Sequence, residues 1–250
     1  MAIRHGLAGK YGKAEALKIT QRVMLSLLTL SLLDGIVMGA LIARGFNSWG
    51  ILALLVAGIA FVPAIRRVDR LMAESARDRI RYMRGGQAEG LIAWILEDLD
   101  DGWHIFNGVK LEENSDIDHI VVGPGGLYCI STKSTRGHFS VVDGRTLLHN
   151  GRKTDLLENT LAQAMRLRDR LAALLGDQVP YVNAVLAVPL GYVEVNGPRR
   201  NVLIFHQDDI VEGLERGGKR LSATEVTRTA GSLEMLERSA AKVYRRPDNK

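Results

Sequence analysis

The chain has 250 residues, enough for one large domain or for a smaller domain with an appended segment. Its formal net charge of +5 is compatible with nucleic acid or with an anionic membrane surface and does not choose between them. The single cysteine, Cys129, excludes an intramolecular disulfide and a cysteine-based metal site, and it suits a reducing compartment.

The first 22 residues carry five lysines and arginines against one acidic residue, Glu15, and we predict a mobile or loosely helical basic leader. Two apolar runs follow, Val23–Ala43 and Phe46–Ile65, separated by only two residues. At about 1.5 Å per residue each run can span a hydrocarbon core of about 30 Å, so residues 23–65 predict a transmembrane helical hairpin. A signal peptide would have a shorter apolar region and no second span.

Asp34 lies near the middle of the first predicted span, where it costs about 2.5 to 3.5 kcal/mol on insertion scales. It is either a proton or ligand site or a hydrogen-bonding group toward a neighbouring helix, and as a single residue it favours the hydrogen bond. Gly35 with Gly39, and Ala53 with Ala57, put small residues one turn apart, as close helix packing requires. The hairpin therefore offers a contact for a homo-oligomer.

Residues 66–84 contain seven arginines and predict a basic juxtamembrane helix suited to anionic headgroups, with nucleic acid as the weaker alternative. Basic residues on both sides of the hairpin place both termini and the following domain in the cytoplasm, at the cell (inner) membrane. Gly85 and Gly86 mark the predicted domain boundary. A domain over 85–245 and a tail over 246–250 complete the chain.

Periodicity and turn signals predict the elements of this domain in order. The first half has a helix over 87–99, a strand over 103–111, a hairpin within 116–137 and a second hairpin about Asp143 and Gly144. The second half begins with a helix over 156–175, followed by strands over 182–188 and 201–205 that are joined by a loop over 192–200. A short helix to 214 and a last helix from the capping box Ser222–Glu225 to 244 complete the domain.

The hairpin within 116–137 has the turn sequence Gly123-Pro124-Gly125-Gly126 between two apolar runs. With these four residues as the loop, Val122 pairs with Leu127. Counting back two residues at a time along the pleat places two acidic residues on one face with two residues of the facing strand.

These four residues are Asp118 opposite Ser131 and Asp116 opposite Lys133. Carboxylates facing a lysine are the arrangement of metal-dependent phosphodiester hydrolysis, because acidic oxygens hold a hard cation and the lysine contacts a phosphate or the attacking water. Ser131 with His119 and Asp118 has the residue types of a catalytic triad, but the pleat points His119 to the opposite face.

The hairpin sequence resembles the NERD (nuclease-related) domain of the PD-(D/E)XK nuclease superfamily. The resemblance lies in Ile117-Asp118-His119 before an apolar run, the Gly-Pro-Gly-Gly turn, and a second apolar run that ends in Thr132-Lys133. The resemblance covers roughly residues 84–210. It implies an α/β fold class with a restriction-endonuclease-like αβββαβ core and a mixed sheet. The family strand normally ends in Glu-x-Lys, whereas this chain has Ser131 in place of the glutamate.

The resemblance also implies site roles. Asp118, Glu89 and the position of Ser131 correspond to ligands of Mg²⁺ or Mn²⁺. Asp116, which shares the hairpin face with Asp118, is added as an auxiliary ligand. Lys133 corresponds to the residue that contacts the phosphate or the attacking water. Gln163 lies in a segment similar to the family Asn-Pro-x-x-Gln and corresponds to the glutamine that orients this lysine. Asp118, Lys133 and Gln163 are the catalytic set.

Two functions follow from the sequence. The first is a membrane-anchored, divalent-metal-dependent nuclease acting on cytoplasmic DNA or RNA with an altered metal site. The second is a catalytically inactive nuclease-fold module that binds nucleic acid or a protein partner at the membrane. Ser131 discriminates between them, because a serine hydroxyl does not replace the charge of a metal-binding glutamate.

Overall fold

The computed structural model describes residues 2–5, single positions between 20 and 80, and residues 83–244 apart from 113–114, 195–196, 200 and 218–219. Contacts divide the chain into two compact units, one of Met1–Lys10 with Arg84–Lys250 and the other of Tyr11–Met83.

The described positions of the second unit are helical. Within the part of the chain that the structure describes, no helix combines the length and the apolar character needed to cross a membrane. Most of the predicted hairpin over 23–65, including Asp34, Ala53 and Ala57, lies outside the described residues.

The first unit contains strands and helices in a mixed order. The strands are β1 (Ile3–His5), β2 (His104–Glu112), β3 (Ser115–Gly123), β4 (Gly126–Thr132), β5 (Gly137–Val142), β6 (Thr146–His149), β7 (Arg152–Lys153), β8 (Val182–Ala187), β9 (Gly191–Val193), β10 (Gly197–Arg199) and β11 (Val202–Phe205). The helices are α1 (83–96), α2 (Leu156–Leu175), α3 (Ile210–Arg216) and α4 (Ala223–Tyr244), with a 3₁₀ turn at Gly176–Gln178.

The main sheet has the strand order β1-β2-β3-β4-β8-β11-β10. The central strands β2, β3 and β4 form an antiparallel meander, and β8 then pairs in parallel with β4 after the crossover through α2. The strand β11 is parallel to β8, so the sheet is mixed, as the resemblance implied. A second sheet of order β7-β6-β5-β9 carries the hairpin about Asp143 and Gly144.

Helices cover both faces of the main sheet, which explains why every residue of its central strand β4 is buried. On one face Leu167 and Leu171 of α2 pack in a core with Ile120. On the other face Ile92 of α1 and Leu214 of α3 pack in a separate core around Val121 and Tyr128. The alternation along β3 sends Ile120 and Val121 to these opposite cores.

Several sequence predictions agree with the structure. The helix α2 has the predicted bounds, and the capping box before α4 forms, with Ser222 N–H donating to Glu225 Oε2 at 2.8 Å and Glu225 N–H donating to Ser222 Oγ at 3.3 Å. Val122 pairs with Leu127 as predicted. The hairpin loop is shorter than the four residues assumed, because Gly123 and Gly126 also pair and leave only two residues in the turn.

Two other predictions differ from the structure at the described residues. The predicted mobile leader contains β1, which pairs in parallel with the start of β2. Two contacts hold His5 of this strand: Asn107 Nδ2 donates to the His5 carbonyl at 3.4 Å, and the His5 ring stacks on that of Phe106 with ring centroids 4.3 Å apart. The predicted loop over 192–200 contains β9 and β10. All three strands are short. β1 and β9 form by pairing with strands far away in the chain, whereas β10 forms a local hairpin with β11.

Candidate functional site

The candidate site lies where β3 and β4 separate. The ladder of paired residues between these two strands ends at His119 and Ile130. Asp118, which precedes His119 on β3, lies just beyond this last pair and is half-buried. The backbone N–H of Thr132 donates to Asp118 Oδ2 at 2.6 Å. This bond fixes one carboxylate oxygen and leaves the other free to meet a cation or a phosphate-bound water.

Burial raises the pKa of Asp118 from its ordinary value of 3.8 to about 6, against the opposing effects of the Lys133 charge and the hydrogen bond from Thr132. The neighbouring carboxylate of Asp116 raises it further. Two carboxylates and one ammonium therefore act on each other at this end of the hairpin. A shifted carboxylate with a lysine beside it is typical of a functional site.

Lys133 follows β4, and its backbone N–H donates to the carbonyl of Ala187 in β8 at 2.9 Å. Its side chain is half-buried. Asp116 is paired with Lys110 of β2, and no ladder pair joins Asp116 to Lys133. Asp116 and Lys133 were predicted to lie opposite each other, but they do not form a strand pair. The charges of both residues nevertheless shift the pKa of Asp118.

Gln163 lies on the α2 face that covers this site. Its Nε2 donates to the backbone carbonyl of Asp116 at 3.3 Å, which ties α2 to β3. Its Oε1 is buried and has no hydrogen-bond donor among the described residues. Because a buried acceptor without a donor costs free energy, this oxygen is a site for a donor such as a water or the head of Lys133.

Ser131 lies on β4 beside Leu186 of β8 and is 2% exposed. Strand alternation puts it on the same face of the sheet as Cys129, the face that α2 covers. Its hydroxyl is neutral, so the position where the resemblance implied an anionic ligand carries no charge. Burial also raises the pKa of the Cys129 thiol, and the charge of Asp118 adds to this effect.

Glu89 lies on α1, whose buried residues pack against the opposite face of the sheet from α2. Within the described residues, no three histidine, cysteine, aspartate or glutamate side chains come together as a group able to hold a metal ion. Asp116 and Asp118 are therefore not joined by Glu89 into a three-carboxylate site.

The donors that remain fit a minimal magnesium site. Mg²⁺ keeps several waters and is usually held by one or two carboxylates together with substrate phosphates. Asp118 supplies a free carboxylate oxygen, and Asp116 supplies a second carboxylate two residues earlier on the same strand. Ser131 adds only a neutral oxygen, which makes this donor set weaker than the one the family pattern contains.

His119 takes no part in a triad with Ser131. It is fully buried, and its Nδ1 lies 2.7 Å from Asn107 Oδ1. Because an amide oxygen only accepts hydrogen bonds, the proton of this bond is on His119 Nδ1. Burial lowers the pKa of His119 to about 3, so the ring stays neutral. It supports β2 and β3 behind the candidate site.

Arg166 of α2 is a basic residue that sequence reasoning did not select. It is exposed, and its charge acts on the Cys129 thiol, lowering the pKa of that thiol in opposition to Asp118. A signal for it was present, because Arg166 follows Gln163 by three residues and helical residues at that spacing share a face. The backbone N–H of Thr132 has no sequence signal.

A mixed sheet flanked by helices, with two carboxylates and a lysine at the end of its central hairpin, fits a nuclease-like fold. The family model of NERD, the nuclease-related domain, matches residues 84–189, which contain every candidate site residue named above. The match supports a place for this segment in the nuclease-related family and superfamily. Comparisons with curated proteins and with solved structures found no match.

Proposed function

We propose that the chain is a membrane-anchored, divalent-metal-dependent nuclease that acts on cytoplasmic DNA or RNA through an altered metal site. The observation that carries this proposal is the half-buried carboxylate of Asp118, held by the Thr132 N–H and influenced by Lys133 and Asp116. The match of residues 84–189 to the nuclease-related domain supports it.

In this proposal Asp118 and Asp116 hold Mg²⁺ or Mn²⁺, with Glu89 and Ser131 as weaker candidates. The ion supplies Lewis-acid polarisation of the scissile phosphate and a more acidic water. Lys133 contacts a non-bridging phosphate oxygen or the attacking water, and Gln163 Oε1 orients the lysine head. As the oxygen of the attacking water bonds to phosphorus, its proton passes to solvent; the bond from phosphorus to the leaving sugar oxygen breaks, and that oxygen takes up a proton from solvent.

Membrane anchoring rests on the apolar runs over 23–43 and 46–65 and on the exposure of apolar side chains at described positions of the first run. These side chains are between 61% and 66% exposed: Met24, Leu25, Leu28, Leu32 and Ile36. Lipid or a second copy of the chain would cover these side chains. The cell inner membrane with a cytoplasmic domain is the proposed location.

The first test is cleavage of single- and double-stranded DNA and RNA by the full-length chain with Mg²⁺ or Mn²⁺. We expect Asp118→Ala to reduce cleavage to the level seen with EDTA, because the principal metal-binding carboxylate is lost. Asp169→Ala removes an exposed carboxylate of α2 and serves as the matched control, with unchanged cleavage expected. Metal-dependent cleavage that persists in Asp118→Ala would disprove this assignment.

Ser131→Glu tests the altered ligand. We expect it to tighten Mn²⁺ binding about tenfold or more, because ligand charge strongly tunes the affinity of oxygen sites, and to increase cleavage. Without metal the new carboxylate beside Asp118 should lower the melting temperature, and Mn²⁺ should restore it. Ser131→Gln has nearly the same size without the charge and should show no such response. Equal metal responses of the two variants would contradict the prediction.

The second candidate function is a catalytically inactive module that binds nucleic acid or a protein at the membrane. The neutral, buried Ser131 favours it, since the site then lacks one anionic ligand. This function predicts no cleavage by the unchanged chain, cleavage after Ser131→Glu, and metal-independent binding. If nucleic acid is the partner, binding weakens steeply with salt.

A further inference from the structure

A cleft of about 360 Å³ lies where α1 approaches the start of α3, apart from the residues assigned to the nuclease site. Its lining includes Trp94 and Ile95 of α1, Asp98 of the following turn, and Val211 of α3. This volume is in the range of pockets that hold small organic ligands or single side chains. The proposed nuclease function makes no use of it.

Trp94 is the most distinctive side chain of this cleft. It is 64% exposed, whereas Trp103 in the core below is 3% exposed. Burying an indole is favourable, so an indole left in solvent at the wall of a cleft marks a surface that a ligand can cover. The face of its π system attracts cations rather than anions.

The charged side chains of the cleft, Asp98 and Asp208, are hydrogen-bond acceptors. Asp98 is exposed and forms no ion pair among the described residues, while its neighbour Glu97 is paired with Arg4. Asp208, at the other side, lies with Oδ2 3.0 Å from His206 Nδ1. Gln207 Oε1 is buried and has no hydrogen-bond donor in the described part of the chain.

Among the described residues, the lining contains no lysine or arginine. A chain with a net positive charge therefore presents a locally acidic cleft, built of an aromatic face, two carboxylates and an unsatisfied amide oxygen. A phosphate group would be repelled by both carboxylates at this position. The charge and the donor-acceptor balance instead complement a positively charged group that carries several N–H donors.

We propose that this cleft binds an organic cation, a guanidinium or primary ammonium group on an aliphatic stem. The stem packs on Ile95 and Val211, the cationic head lies over Trp94, and its N–H groups are directed to the carboxylates and to Gln207 Oε1. Such a head is found on a basic side chain of a partner protein and on a free small amine.

The experiment is titration calorimetry of the full-length chain, without nucleic acid or divalent metal, so its outcome is independent of nuclease activity. The probes are agmatine, the tripeptide acetyl-Gly-Arg-Gly-amide, and the same tripeptide with citrulline, which keeps the shape of arginine but is neutral. We expect saturable binding of a cationic probe and none of the citrulline peptide. Binding of agmatine alone assigns a free amine, and binding of the tripeptide alone assigns a protein side chain.

Two variants test the cleft itself. Trp94→Leu keeps an apolar wall without the π face, and Asp98→Asn removes one charge, so each should weaken binding of the cationic probe roughly 3- to 20-fold. Asp143→Asn, a charge removal at a turn of the second sheet, should bind as the unchanged chain does. The proposal is overturned if neither cation binds, if the citrulline peptide binds equally, or if both variants bind normally.

Discussion

Replacing Asp118 with Asn is expected to raise the free energy of unfolding by about 3 kcal/mol at pH 8, while abolishing any metal-dependent activity. The pKa of Asp118 is raised to about 6 in the folded chain, against 3.8 as its ordinary value, so the folded state disfavours the ionised form. Asparagine is neutral and similar in shape, and its Oδ1 can still accept the Thr132 N–H.

The sign of the pH dependence follows from proton binding. Between about pH 4 and pH 6 the folded chain holds the Asp118 proton and the unfolded chain has lost it, so this group makes stability fall as pH rises. The advantage of Asp118→Asn should thus be small near pH 4, grow to pH 6, and be nearly constant above it.

Urea unfolding in EDTA at pH 4, 6 and 8 measures this difference. Asp169→Asn on the exposed face of α2 is the matched control, because it makes the same substitution away from the candidate site, and only a small difference is expected. An Asp118→Asn variant that is less stable than the unchanged chain at pH 8, or equally stabilised at pH 4 and pH 8, would contradict the assigned pKa shift. A more stable but inactive variant is what a functional carboxylate predicts.

Gly123→Ala is expected to destabilise the domain by about 3 kcal/mol, the upper part of the range for overpacked cores. A Cβ at Gly123 would lie 2.2 Å from Cδ2 and 2.3 Å from Cε3 of Trp103, distances that no relaxed contact allows. The indole of Trp103 is buried against Tyr128, with ring centroids 6.2 Å apart, and has no solvent side to move toward.

Gly231→Ala is the matched control, because it makes the same substitution at an exposed position of α4 with nothing within 4 Å of the new Cβ. It should stabilise the domain by about 0.5 to 1 kcal/mol, since alanine is the better helix former. Thermal unfolding followed by circular dichroism measures both variants.

The double variant Gly123→Ala with Trp103→Leu tests the cause of the loss. If the clash with the indole destabilises Gly123→Ala, the loss in the double variant should be smaller than the sum of the two single losses. Additive losses would place the cause elsewhere in the turn.

What the sequence determined about this protein is local in origin. The apolar period of α2, the capping box of α4 and the turn glycines between β3 and β4 act over a few residues, so their elements appear where predicted. The pairing of Val122 with Leu127 followed from the turn alone. From it, alternation predicted Asp118 opposite Ser131 and Asp116 opposite Lys133. The ladder ends before both positions, and the Lys133 charge acts on Asp118 instead.

Only the tertiary structure decided the remaining features of the site, because they join residues far apart in the chain. Strand β1 exists through pairing with β2, about a hundred residues away, and Gln163 of α2 donates to the backbone carbonyl of Asp116 from another layer. The pKa shift of Asp118 is likewise a property of burial. Local patterns specify elements, whereas the sheet order and the two layers of helices determine which side chains meet and how strongly they are desolvated.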